Sequence, residues 1–193
     1  MFLRLFPMMG NFHMTRGALR CAGKYLRGSG IEDAFIECRI FGPKTLETVL
    51  NGSHYYRSFS GLIIVADAVT RMKMEAFWNE NPSNIYEETV SKLEKFQQAL
   101  CNNYRSASKF MLDEVSTNKD VLKLLEDIDN FTDDCSKKST QCNFWENFVR
   151  IMDIIKNEVR SDRDGDIFLG MHTMKELLPI FKGGDGINYL RYG

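Results

Sequence analysis

The chain has 193 residues, 44 % hydrophobic and 26 % charged, which suits one medium domain with a real core and ordinary globular composition. Its formal net charge of −1 excludes a global basic field that would draw it onto DNA or a membrane surface. No run approaches the ~18 apolar residues of a membrane span. The N-terminal stretch contains Arg4 and Pro7 and lacks a small-residue cleavage site, so it does not read as a signal peptide.

In chain order, the apolar run Met1–Phe6 ends at Met8-Met9-Gly10-Asn11-Phe12-His13. An apolar run, a glycine, a short polar residue and then a helical pattern predict strand, tight turn and helix. Polar groups at such a strand end are fixed by the strand and exposed by the turn. The residue there is Asn11, which cannot act as a carboxylate. Phe12, Leu19, Ala22 and Leu26 share a face of the first helix, which Gly28-Ser29-Gly30 ends. Arg16, Arg20, Lys24 and Arg27 recur on the same helix. Such a run is commonly a solvated face, but here it is the candidate nucleic-acid contact.

A short helix is predicted from Ile31 to about Arg39, with Ile31, Ala34, Phe35 and Cys38 inward. Pro43 suits the first position of the next helix, and Asn51-Gly52 stops it. No alternating strands flank Asn51-Gly52, so a helix cap is preferred to a hairpin turn. Ser58–Trp78 carries an apolar stripe through Phe59, Leu62, Ile63, Ala66 and Val69. A loop is expected over Asn79–Asn84, then helix over Ile85–Tyr104. Thr117–Asp120 resembles a capping box, and Thr132–Gln141 reads as a polar loop. Phe144–Val159 is amphipathic, and the last helix is expected to carry Ile167, Met171, Met174, Leu178 and Phe181.

The five cysteines, Cys21, Cys38, Cys101, Cys135 and Cys142, are odd in number and scattered. They suit reduced thiols in an intracellular protein, with no CxxC to hold zinc. Asp162-Arg163-Asp164-Gly165-Asp166 looks like the opening of a calcium loop. Such a loop needs Gly at position 6 and a bidentate Glu at position 12. Ile167 and Thr173 stand there, so a polar turn favouring the next helix N-terminus is the better reading. His13, His54 and His172 lack partners at metal-ligand spacing, and no Walker, nucleophile-elbow or dinucleotide motif occurs.

Gly10-Asn11-Phe12-His13 resembles the Gly-Asp-Phe-His motif of a family derived from animal and fungal transposons. Gly28-Ser29-Gly30-Ile31-Glu32-Asp33 is similar to its Ser-Gly-Leu-Glu-Asp segment. Leu50-Asn51-Gly52-Ser53-His54-Tyr55 with Arg57 resembles its Leu-Ser-Gly-x-His-Tyr-x-Arg segment. Arg163-Asp164-Gly165-Asp166, Leu177-Leu178-Pro179 and Asn188-Tyr189-Leu190-Arg191 complete the ordered series.

The resemblance implies a ribonuclease-H-like, transposase-type core with a helical insertion. The expected fold is therefore mainly α, one domain over residues 1–193, with one short N-terminal strand left from the sheet. Enzymes of that type hold two divalent metal ions on acidic residues. Asn11, His13 and Asp166 would be the vestiges of such a site, with Asp164 or Glu158 as other acidic candidates. Asn11 binds magnesium less well than Asp. The family's first acidic residue falls upstream of Met1, Ile167 replaces its Trp, and Gly170 replaces its His.

The resulting expectation is a catalytically impaired, transposon-derived fragment. It would need no cofactor, magnesium being relevant only to surviving activity. It would contact DNA through Arg16, Arg20, Lys24 and Arg27, and would be intracellular and, with DNA as partner, nuclear. The unpaired N-terminal strand would favour self-association. The alternative is a helical protein-interaction domain with no nucleic-acid role.

Overall fold

The computed structural model describes residues 11–81, 86–102 and 116–184. Among these residues there are eight helices and no strand. In chain order they are α1 (Asn11–Leu26), α2 (Ile31–Glu37), α3 (Pro43–Leu50), α4 (Tyr55–Glu80), α5 (Glu87–Asn102), α6 (Lys119–Lys138), α7 (Thr140–Asp164) and α8 (Ile167–Gly183). With 87 % of the described residues helical, the expected remnant of a ribonuclease-H-like sheet is overturned. The expected strand over Met1–Phe6, and the self-association assigned to it, lie outside the described residues.

Two compact units divide the chain, one formed by Met1–Val69 with Phe144–Gly193 and the other by Thr70–Asn143. The core of the first is built on α1. Ala18, Leu19, Ala22 and Leu26 are fully buried among Phe35, Leu50, Leu62, Phe148, Ile155 and Phe181. α1 packs against α3 and α8. Gly23 makes the α1–α3 approach possible, because a Cβ there would stand 2.1 Å from the Leu50 carbonyl oxygen. Tyr25 stacks on Phe144 at 4.6 Å between ring centroids and donates its hydroxyl to the Phe144 carbonyl at 3.2 Å, tying α1 to α7. The second unit closes around Phe77, Tyr86 and Leu124, with Phe131 edge-on to Phe77 at 5.6 Å. The Tyr86 hydroxyl donates to Asp127 at 2.7 Å, and that bond is the main cause of its raised pKa.

Several helix ends differ from the sequence reading, each for a local reason. The cap of α6 is Asn118 rather than Thr117: its side chain accepts from the backbone N–H groups of Asp120 and Val121. The polar stretch from Thr132 is helical as far as Lys138, because the buried Thr132 hydroxyl bonds back to the Ile128 carbonyl at 2.8 Å instead of leaving the helix. Asn79 and Glu80 extend α4, while residues 82–85 lie outside the described set. In α2 only Phe35 is buried; Ala34 and Cys38 face out. The buried side of α8 is Thr173, Leu177 and Phe181, leaving Ile167 and Met171 exposed. The preferred helix cap at Asn51-Gly52 is what forms: Asn51 caps α3 and Gly52 takes a left-handed φ of 65°. Among the described residues, no helix is long and apolar enough to cross a membrane.

Candidate functional site

The turn between α3 and α4 lies directly on the backbone of α1. A Cβ at Gly52 would meet the Arg20 backbone nitrogen at 3.1 Å and the Arg16 carbonyl oxygen at 3.2 Å. Glycine therefore serves two needs there, a left-handed φ and the close approach. Arg16 fastens the turn by donating from Nε to the Gly52 carbonyl at 3.1 Å. That bond orients the planar guanidinium and leaves its terminal N–H groups for other partners.

The result is a cleft of about 440 Å³ lined by His13, Arg16 and Arg20 from α1 and by Asn51, Gly52 and Ser53 from the turn, with buried Gly17 in its wall. Among the described residues, no carboxylate lines it. Neither Arg16 nor Arg20 forms an ion pair among the described residues, and both are exposed. Their charges face the cleft without a neutralising carboxylate among the described residues. Such a cleft attracts anions.

The other two members of the predicted basic stripe are engaged elsewhere. Arg27 pairs with Glu47 at 2.8 Å and donates to Asn51 Oδ1 at 2.9 Å, while Asn51 donates to Glu47 at 2.8 Å. The bond from Arg27, and then that from Asn51, lowers the Glu47 pKa. Lys24 donates from Nζ to the Gly184 carbonyl at 3.3 Å, beside the C-terminal end of α8, where a cation is favourable. Arg16 and Arg20 thus meet in one cleft, and Lys24 and Arg27 do not join them.

The vestigial catalytic set is not assembled in that cleft. His13 lines it, Asn11 opens α1, and Asp166 is absent from its lining. The Asp166 carboxylate caps α8 by accepting from the Leu169 N–H at 3.0 Å, and Gly165 reverses the chain at a φ of 68°. Asp162, Arg163 and Asp164 are thus the last residues of α7, and the turn expected over the whole Asp-rich segment is confined to Gly165 and Asp166. Asp164 accepts from Arg160 Nε at 3.3 Å within α7.

Glu158 is buried. One of its oxygens contacts the Thr173 hydroxyl; the other has no hydrogen-bond partner among the described residues. Burial raises its pKa; the Thr173 bond opposes that shift and the nearby Asp162 charge adds to it. The Thr173 hydroxyl has one proton and two acceptors within reach, the Glu158 carboxyl oxygen and the Gly170 carbonyl at 3.0 Å.

Sequence reasoning singled out His13, Arg16 and Arg20 but missed Asn51, Gly52 and Ser53 as the opposite wall. The signal lay in the Leu50–Arg57 segment, whose tight turn had to rest on something. Phe12 and Tyr55 bring the two segments together, with ring centroids 5.1 Å apart. A larger groove of about 830 Å³, with Tyr25, Arg150, Ile151 and Ile180 in its lining, went unseen because its residues are far apart in sequence.

The family model for Domain of unknown function (DUF8702) matches residues 3–193. The chain belongs to this family. Comparison with curated proteins and with solved structures found no match. The DUF8702 match gives no support to the transposase-like character expected from the motif series, and the all-helical fold of the described residues overturns the ribonuclease-H-like one.

Proposed function

We propose that this domain binds nucleic acid through phosphate groups, without cutting or joining it. The supporting observation is the cleft into which His13, Arg16 and Arg20 converge with no carboxylate among the described residues of its lining. Guanidinium groups recognise phosphate oxygens through planar, paired N–H donors. Contact confined to phosphate carries little sequence preference and weakens as salt rises, by a slope of about −0.7 per contact on a single strand. A nuclear location is the corollary where the partner is DNA.

The experiment is a salt titration of single-stranded DNA binding by the whole chain, followed by fluorescence anisotropy. Arg20→Glu places a negative charge in the cleft at an exposed position, so the helix is retained. Loss of binding in that variant, with a salt-dependent wild type, is the expected result. Salt-independent binding, or binding untouched by Arg20→Glu, refutes the reading.

A second reading, a helical protein-interaction domain, draws on a different surface. Ile167, Phe168 and Met171 at the start of α8 are 70 %, 86 % and 51 % exposed. Three large apolar side chains on one helical turn are a recurrent feature of binding surfaces. A stable homo-oligomer dissolved by Phe168→Ser would favour it.

A further inference from the structure

We infer that the cleft between α1 and the α3–α4 turn selects a phosphomonoester, the terminal phosphate of a nucleic-acid strand, over the internal phosphodiesters of its backbone; this deepens the nucleic-acid reading above and rests on it. The spacing of the available cations comes first. A row of internal phosphates is bound by a row of cations along the strand. Here the predicted row is broken, because Lys24 is held on the Gly184 carbonyl and Arg27 on Glu47. Arg16 and Arg20 remain, one helical turn apart, with Cβ atoms about 5–6 Å from each other. Two long guanidinium side chains at that spacing converge on one anion more readily than they follow a strand.

Charge and oxygen count point the same way. A phosphomonoester carries about −1.5 to −2 charges near neutral pH and offers three terminal acceptor oxygens. An internal diester carries one charge and two such oxygens. The cleft offers two guanidinium charges, the His13 ring and the Ser53 hydroxyl, with no carboxylate among its described lining residues to repel the second negative charge. Arg16 is also held in place before any ligand arrives, since its Nε is bonded to the Gly52 carbonyl. A fixed guanidinium loses less freedom on binding than a mobile one.

The test compares a single-stranded DNA oligonucleotide bearing a 5′-phosphate with the same oligonucleotide bearing a 5′-hydroxyl, using the full chain and fluorescence anisotropy. The 5′-phosphate form is expected to bind about tenfold more tightly, the worth of a further charge-assisted bond. Arg20→Glu is expected to erase that difference, and inorganic phosphate to compete with the phosphorylated oligonucleotide alone. Arg160→Ala, at an exposed residue of α7 that does not line the cleft, serves as the folded control and should leave the ratio unmoved. Equal, salt-dependent binding of both oligonucleotides overturns terminal-phosphate selection while the nucleic-acid reading stands. Adenosine 5′-monophosphate binding as tightly as the phosphorylated oligonucleotide upholds the phosphomonoester site and overturns the nucleic-acid reading. No binding of any of the three overturns both.

Discussion

Replacing Glu158 by Gln is expected to stabilise the protein, and to do so only where the native side chain would be charged. Glu158 is 1 % exposed, and one carboxyl oxygen lacks a partner among the described residues. An unsatisfied buried polar group costs about 1–3 kcal/mol, and more when it is charged. Burial raises the folded pKa above the unfolded value of 4.5, with Asp162 adding to the shift and Thr173 opposing it. The folded state therefore holds the proton more tightly than the unfolded state. Stability from this group is fully present below pH 4.5 and is lost as pH rises through the folded pKa. Gln is uncharged throughout and close in shape to the neutral acid. The stability gap between Glu158→Gln and the native chain should be near zero at about pH 4.5. It should then widen with pH and level off at about 1–3 kcal/mol in favour of Gln. Urea unfolding of both chains from pH 4.5 to 8, read by circular dichroism, measures that gap while every other titration cancels. In thermal melts, each kcal/mol corresponds to roughly 2–4 °C at this chain length. A gap that does not change with pH, or a Gln variant less stable than the native chain at pH 8, would refute the account of a neutral buried carboxyl.

Other substitutions probe the remaining packing and the two surfaces. Gly23→Ala gains up to about 1 kcal/mol of helix propensity. It also drives a methyl group against the Leu50 carbonyl oxygen, so a net loss of about 1–3 kcal/mol is expected in denaturant melts. Tyr86→Phe removes the 2.7 Å bond to Asp127 and should cost the second unit about 0.5–1.5 kcal/mol; an unchanged melt would show that bond to be idle. Phe168→Ser should shift stability by less than about 0.5 kcal/mol, since the ring is 86 % exposed. A large loss on unfolding would place that ring in the core instead.

The helices were legible wherever a long apolar stripe stood between strong stop signals. Gly28-Ser29-Gly30 and Asn51-Gly52 ended α1 and α3 because positive φ at glycine is a local property, visible in the sequence. Periodicity was a poorer guide to which face is buried. The α8 stripe through Ile167 and Met171 is apolar, yet the helix buries Thr173, Leu177 and Phe181 against its neighbours. Thr173 is inside because it has a partner in Glu158, a pairing across fifteen positions that no local pattern encodes. Asn11, expected in a turn, is the first residue of α1, while the strand expected before it lies outside the described residues. For the site, the basic residues were plain but their fates were not. The ion pair of Arg27 with Glu47 and the bond of Lys24 to Gly184 are tertiary facts, and they decide which cations stay available.

The motif segments have structural work that accounts for their residue types without a metal-binding sheet. In Leu50–Arg57, Gly52 is required by its φ of 65° and by the α1 backbone 3.1 Å from its would-be Cβ, while Asn51 links Glu47 and Arg27. In Gly10–His13, Phe12 packs on Tyr55 of the other segment. In Arg163–Asp166, Gly165 turns the chain and Asp166 caps α8. Each is a helix end or a helix-to-helix contact, so an Asp at position 166 is held by the N–H of Leu169 rather than by a need for magnesium. The same packing that rests the Asn51–Ser53 turn on α1 forms the cleft around Arg16 and Arg20. The cleft proposed as an anion site is therefore a by-product of how α1 meets the α3–α4 turn. Any substitution that lifts that turn, Gly52→Ala above all, should cost stability and phosphate binding together, whereas Arg20→Glu should cost binding alone. Matched melts and anisotropy titrations on the two variants separate these effects, and a Gly52→Ala variant that melts lower yet binds normally would show that the turn does not shape the cleft.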